Sequence, residues 1–488
     1  MMKNVLFVFI MSLVFSYKTK SQTPNILFIA VDDLSTNLGV YGNNIVQSPN
    51  LDKLASEGTA FANHFVQIPT CGASRASMLT GLRPKNRAQL KNNILELVAT
   101  TKKEEETPES FIHHLRRHGY YTVGIGKISH SADGLVYGYN DKPSETFELP
   151  FSWDEFLFDS GKWKTGWNAF FAYANGENRQ SMKNQVKPYE AGNVGDEGYP
   201  DGLTAKLALS SLKKLKDSSE PFFLGVGFFK PHLPFNAPKK YWDLYDRGSI
   251  LISENPSIPK HVNLKSLHDS GEFNSYKLTD EIPNLENQIS DDYAKKLTHA
   301  YYASISYVDY QIGLVLNELK ALGLDKNTIV VIWGDHGWHL GHQQIWGKHS
   351  LFENALKSTL IIKNPKAKTS GNVLDNVVET VDLYPTLMKL ANIEIPYDLD
   401  GESLDGLLNS EEVKHTNTAY SYFKDGISLR TERYRLTKYF RVEEPNIELY
   451  DHLKDPNETI NIAQKKKDIV TKLMPLLEKG NTGLYQTQ

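Results

Sequence analysis

Short, uniformly apolar runs alternate with longer amphipathic stretches along this chain, and most of the runs lead into charged or polar residues. Asn25-Ile26-Leu27-Phe28-Ile29-Ala30-Val31 is continuous and β-rich, the pattern of a strand buried on both faces of a mainly parallel sheet, and it stops at Asp32-Asp33. Runs of the same kind stand at Tyr121–Ile125, Phe222–Gly227 and Thr328–Trp333, the last leading into Gly334-Asp335-His336-Gly337. Helical periodicity covers Glu109–His118, Thr204–Leu215 and Asp291–Leu322. Strands alternating with helices predict a layered α/β fold: a large mixed, mostly parallel sheet sandwiched by helices. Open sheets of this kind hold their ligands at the carboxyl ends of the strands, which is where Asp32, Asp33 and Asp335 fall.

The segment from Phe151 to Gly202 has little periodicity and many aromatic, Gly and Asn residues, so surface excursions around the site are expected there. From about Thr416 the pattern becomes short alternating segments, Ala419–Phe423, Ser428–Arg430 and Tyr434–Tyr439, as in an antiparallel sheet, with a helix expected over Lys465–Glu478. The chain of 488 residues exceeds the ~250–300 at which single cores stop growing. The division expected is a main domain over 23–412 and a smaller C-terminal α+β subdomain over 413–488.

At the N-terminus Met1-Met2-Lys3-Asn4 precedes an apolar run from Val5 to Phe15 and a polar stretch, the form of a secretory signal over 1–22. That run is about half the ~20 residues needed to span a bilayer. A secreted or periplasmic protein without stable membrane insertion is expected. The formal charge of −4 argues against nucleic-acid binding by global attraction, so a polyanionic ligand needs a locally basic pocket.

Cys71 is the sole cysteine, so no disulfide can staple the fold, and in an oxidising compartment a lone thiol is a liability unless buried or chemically transformed. It opens Cys71-Gly72-Ala73-Ser74-Arg75, and Ser74–Thr80 has the form of a first helical turn or two whose free N–H groups suit an anion. Three carboxylates and the His336 imidazole at one sheet edge need a cation to be tolerated, and an oxygen-rich set suits calcium or magnesium.

Four blocks in order, Pro24–Leu34, Cys71–Arg83, Gly126-Lys127-Ile128-Ser129-His130 and Trp333–Lys348, resemble the type I formylglycine-dependent sulfatases of the alkaline phosphatase superfamily. Lys230-Pro231-His232-Leu233-Pro234-Phe235 and Asp335-His336-Gly337-Trp338 are similar to the iduronate-2-sulfatase-like branch, and Glu448–Asp451 with Asp455-Pro456 to the usual C-terminal subdomain. The resemblance implies an alkaline-phosphatase-like fold and oxidation of Cys71 to formylglycine by a formylglycine-generating maturation enzyme. It implies calcium held by Asp32, Asp33, Asp335, His336 and the aldehyde hydrate from Cys71. Arg75 would hold that hydrate, and Lys127 and Lys348 would bind the sulfate oxygens as compact point charges.

A serine hydroxyl that attacked sulfur would be left as a stable ester, whereas a geminal diol carries a second hydroxyl whose deprotonation expels sulfate. His130 is the candidate base for that expulsion and His232 the candidate acid for the departing sugar oxygen, since histidine titrates near working pH. His339 and His349, beside the metal block, are candidate substrate contacts, and His342 stands where that family commonly has glutamate. His113, His114 and His118 are expected on a helix surface, and His64 and His299 in ordinary packing. The function expected is hydrolysis of a sulfate ester on a poly- or oligosaccharide, at O2 of a uronic acid as in a glycosaminoglycan or algal ulvan. Its rivals are another sugar position or a phosphodiester or phosphonate hydrolase.

Overall fold

A computed structural model describes residues 23–99, 108–367, 370–410 and 415–485. The expected signal segment and the 412/413 boundary lie outside them. Eight strands form the main sheet, in the order Asn372–Glu379, Thr59–Phe65, Leu360–Lys363, Thr328–Gly334, Asn25–Val31, Phe222–Phe228, Tyr121–Gly126 and Glu155–Leu157. Only Leu360–Lys363 runs against its neighbours; the other pairings are parallel.

Asn25–Val31 occupies the middle and is buried from Ile26 onward. Its side chains alternate between layers, as the twofold period of a strand requires. Leu27, Ile29 and Val31 join a core completed by Ala300, Tyr301, Ile305 and Ile312 of the long helix Asp291–Ala321. Ile26, Phe28 and Ala30 face the opposite layer, where Phe111 and Ile112 of Phe111–Arg117, Met78 and Leu79 of Cys71–Thr80, and Leu387 of Leu383–Ala391 pack. A run apolar at every position therefore serves two cores at once. The expected sandwich is present, with the helices found at Phe111–Arg117, Pro200–Leu215 and Asp291–Ala321.

The C-terminal strands Thr418–Phe423, Gly426–Thr431, Tyr434–Tyr439 and Ile447–Asp451 form an antiparallel sheet in chain order. Leu477 of the helix Lys467–Lys479 joins Tyr422, Leu429, Leu436 and Leu449 in a separate core, which also takes in Ile68 and Ala73 on either side of Cys71. Buried charges tie this sheet to the main layer. Arg430 and Arg435 both pair with Glu353, and Arg435 Nε lies 2.7 Å from Glu458. Their two guanidinium groups meet the carboxylates of the Glu353–His452–Glu458 cluster.

Two expectations fail. The 151–202 segment is not only surface excursion: Trp163, Trp167, Phe170 and Phe171 are buried in an aromatic cluster with Phe229. His113 and His114 are buried rather than exposed, because Glu109 reaches back to both rings, at 3.1 and 3.0 Å. Only His118 of that group stays on the surface. His64 is a core histidine, fully buried and bonded to Thr380 and the Ser358 carbonyl. Among the described residues no helix is long and apolar enough to cross a membrane.

Candidate active site

Three strand ends and one helix start meet at the carboxyl edge of the sheet. Asp32 and Asp33 leave Asn25–Val31, Lys127 leaves Tyr121–Gly126, and Asp335 and His336 leave Thr328–Gly334. Two glycines make this approach possible. Gly126 adopts φ +69, and a Cβ on Gly227 would lie 2.2 Å from the Lys127 backbone, so Lys127 can cross the neighbouring strand only above a residue without a side chain. Asp33 is itself left-handed at φ 59, a conformation Asp tolerates, and its N–H donates to Asp335 Oδ1 at 2.9 Å.

Cys71 begins the helix Cys71–Thr80, three residues before the turn expected at Ser74. Its thiol is buried, with Sγ 3.2 Å from His336 Nε2 and 3.3 Å from Lys348 Nζ. Not every N–H of the first turn is free, since Gly72 N–H donates to Asn92 Oδ1 at 2.9 Å. Ser74 Oγ bonds the Asp335 carbonyl at 2.5 Å and locks the helix to the strand end. Burial, with the Asp32 charge behind it, pushes the Cys71 thiol up to about 12. It is held protonated, the opposite of the low-pKa thiolate that cysteine nucleophiles need.

Three cations face the three carboxylates. Arg75, fully buried, lies 3.2 Å from Asp32 and 2.9 Å from Asp335, and donates to the carbonyls of Lys127 and Ile128. Lys127 Nζ lies 2.5 Å from Asp32 Oδ2, over the face of Phe170. Lys348 Nζ lies 2.8 Å from Asp33 Oδ1. Burial would raise Asp32, but Lys127, His232 and Arg75 outweigh it and hold the carboxyl well below the ordinary range. Burial wins at Asp33, which is raised despite Lys348.

The donor set suits a cation. One ligand atom from each of Asp32, Cys71, Asp335 and His336 falls within 4.8 Å of the others, and Asp33, Cys71 and His232 form an overlapping group. Asp33 Oδ2 is buried without a hydrogen-bond partner, a deficit of roughly 1–3 kcal/mol that a bound cation removes. Hard carboxylate oxygens dominate the set, which fits calcium or magnesium.

The sulfatase family profile matches residues 24–393, and that of the N-sulphoglucosamine sulphohydrolase C-terminal region matches residues 334–482. The chain belongs to the sulfatase family. This sulfatase, a sulfuric ester hydrolase, is 32% identical to a sulfatase of Formosa agariphila over 94% of its own length and 87% of that relative's. It is 31% identical to mouse iduronate 2-sulfatase over 76% of this chain and 69% of that one. Its fold is that of a protein solved with its substrate D-glucosamine-2-N,6-O-disulfate, at TM-score 0.71 and 22% identity, covering 95% of this chain and 98% of that one.

The remaining expected residues of the sulfatase divide into two groups. His232 lies at the cluster, with Nε2 3.9 Å from Asp33 Oδ2, and His130 lies within reach of the Asp32 and Lys127 charges. The His130 ring sits 5.3 Å from that of Trp167, with Nδ1 3.8 Å from Glu96. The His232 ring is 4.5 Å from that of Phe170. Neither titrates near neutrality as expected: burial, assisted at His232 by Lys348, lowers them to about 4 and about 3. His339 is fully buried, with its nitrogens bonded to Ser350 Oγ and the His342 carbonyl, so it supports the loop instead of facing a substrate. His349 is half-buried, stacks on Phe423 at 5.7 Å, and lines a cleft of about 340 Å³ with Lys265, Lys424 and Arg441. Arg75 makes its hydrogen bonds to Asp32, Asp335 and carbonyl groups, so it braces the carboxylates beside Cys71.

Sequence reasoning missed Glu272. It lies in an irregular stretch after Gly271, where no periodicity or motif marks it. Its carboxylate is 3.1 Å from His232 Nε2 and 3.5 Å from Lys348 Nζ, while His232 Nδ1 lies 2.6 Å from the Leu233 carbonyl. Both ring nitrogens of His232 thus face acceptors, and Glu272 opposes the burial that drives the proton off the ring.

Proposed function

We propose that this sulfatase hydrolyses a sulfate ester at O2 of a uronic acid in a sulfated poly- or oligosaccharide, with position 71 as formylglycine and calcium as the metal. The observation that carries the reading is the placement of Cys71 Sγ between His336 and Lys348 at a helix start ringed by carboxylates. The thiol stands where a hydroxyl of the aldehyde hydrate would be. The likeness to mouse iduronate 2-sulfatase, together with the Lys230–Phe235 segment, supports the uronate 2-sulfate choice.

Asp32, Asp33, Asp335 and His336 would hold the calcium, which when bound acidifies the hydrate and withdraws charge from sulfate. Lys348 and Lys127 carry the positive charge that meets the sulfate oxygens, and their pairing with Asp33 and Asp32 fixes where that charge sits. The Glu272 carboxylate and the Leu233 carbonyl, facing the two ring nitrogens of His232, favour the protonated ring against burial, so that it would protonate the departing sugar oxygen. Neutral His130 would accept the proton of the hydrate. A formylglycine-generating enzyme is the implied maturation partner, and the Val5–Phe15 run supports a secreted or periplasmic location.

Sulfate release measured by ion chromatography over oligosaccharides sulfated at defined positions tests the substrate. The reading expects release from terminal uronate 2-sulfate. Release only from another position replaces the 2-O-uronate assignment, and preference for aryl phosphate or phosphonate esters over aryl sulfates replaces the reaction.

A second expectation concerns the acid. Glu272→Gln and His232→Ala should each lower kcat/KM on a saccharide sulfate by about 10²-fold or more, with a much smaller loss on 4-nitrophenyl sulfate, whose leaving group needs no proton. Equal losses on both substrates would remove the pair from the acid role.

A further inference from the structure

Arg179 is a half-buried guanidinium that pairs with no carboxylate among the described residues, and its Nε is buried without a hydrogen-bond partner. Other buried arginines of this chain are matched by acids: Arg75 by Asp32 and Asp335, Arg430 by Glu353, and Arg435 by Glu353 and Glu458. Charged side chains withdrawn from water are rarely left unpaired. Arg179 is held all the same. Its guanidinium lies 3.6 Å from the ring centre of Phe171 and 5.4 Å from that of Tyr276, and Nη1 is 3.5 Å from Ser275 Oγ.

Those neighbours lead straight to the candidate active site. The Phe171 ring lies 6.4 Å from that of His232 and 5.5 Å from that of Tyr139. Ser275 Oγ donates to the Glu272 carbonyl at 2.7 Å, and the Glu272 carboxylate reaches His232 and Lys348. Tyr139 is within electrostatic reach of Cys71, Glu272, Arg179 and Lys348 together. One cation without a carboxylate partner therefore stands beside the site, linked to the His232–Glu272–Lys348 group through Phe171 and Ser275.

We propose that Arg179 is a specificity-determining residue that binds the carboxylate of the uronic acid whose 2-O-sulfate is placed over residue 71. This assignment rests on the function proposed above. On a pyranose ring the carbon bearing O2 and the carbon bearing the carboxylate lie opposite each other, so an enzyme reading both needs a second cation about one sugar width from its sulfate site. A planar guanidinium fork matches a carboxylate in two hydrogen bonds, and packing against Phe171 orients the fork before the substrate arrives. A neutral sugar would leave the guanidinium unmatched, which converts the missing partner into selectivity.

The test uses matured wild type, Arg179→Ala and Arg179→Lys on three substrates: a disaccharide with terminal uronate 2-sulfate, its carboxyl-reduced counterpart, and 4-nitrophenyl sulfate. Thermal melts confirm that the variants fold. Arg179→Ala should lose about 10²-fold in kcat/KM on the uronate, with a loss at least tenfold smaller on the other two, and Arg179→Lys should fall between. Equal losses of Arg179→Ala on all three substrates, or none on the uronate, would overturn the assignment while leaving the function in place. A wild type active on 4-nitrophenyl sulfate but silent on uronate 2-sulfate would overturn the function and the assignment with it.

Discussion

Cys71→Ala and Cys71→Ser are expected to eliminate sulfate release, a loss of about 10⁴-fold or more in kcat, while the chain stays folded. Both replacements are small, the site is buried in contact with His336 and Lys348, and no disulfide depends on it. The two variants fail for different reasons. Ala has no group to attack sulfur. Ser can take the sulfuryl group but has no second hydroxyl on the same carbon to drive it off, so at best it reacts once. Purified variants assayed for sulfate, with circular dichroism and a thermal melt as folding controls, check this. Multiple turnovers by Cys71→Ser would contradict the need for an aldehyde hydrate.

The second large effect is expected at Asp335. Asp335→Asn keeps the shape of the side chain but removes a negative charge from the proposed calcium site and from the Arg75 pair at 2.9 Å. A ligand that binds only the folded state stabilises it by about 2.7 kcal/mol at a hundred times its Kd. Chelator-treated wild type should therefore lose activity and melt lower, and added calcium should restore both. Asp335→Asn should lose about 10³-fold in kcat and most of the calcium-induced rise in Tm. Calcium titrations followed by differential scanning calorimetry decide the point. An unchanged melt for chelated wild type, or the same calcium shift in the variant, would remove Asp335 and its neighbours from the metal.

The features that proved legible in the sequence share one physical cause. A strand buried on both faces has to be apolar at every position, so Asn25–Val31 and Thr328–Gly334 stand out, and the polar residues that end them mark the edge where ligands bind. Asp32, Asp33, Asp335 and His336 come together for that reason. Cys71 needed no periodicity, because a lone cysteine followed by Arg75 is conspicuous by composition.

Residues whose partners are set by tertiary packing were not legible. Glu272 and Arg179 lie in irregular segments, where neither strand nor helix period separates an inward side chain from a solvated one. His113 and His114 were misplaced because their burial depends on Glu109, which reaches them only once the helix and its leading turn have formed. The Trp163–Phe171 cluster was misjudged similarly: aromatics in an aperiodic stretch give no sign that they fold back over Phe229 and the rings of His130 and His232.

Sulfate-ester turnover is expected only from the converted form of residue 71. Preparations made with graded amounts of formylglycine-generating enzyme can be analysed in parallel, by mass spectrometry of the Cys71 peptide and by sulfate release under saturating substrate. Activity should rise in proportion to the fraction of chains carrying the aldehyde and extrapolate to zero at no conversion. Activity independent of that fraction would show that turnover does not depend on the aldehyde.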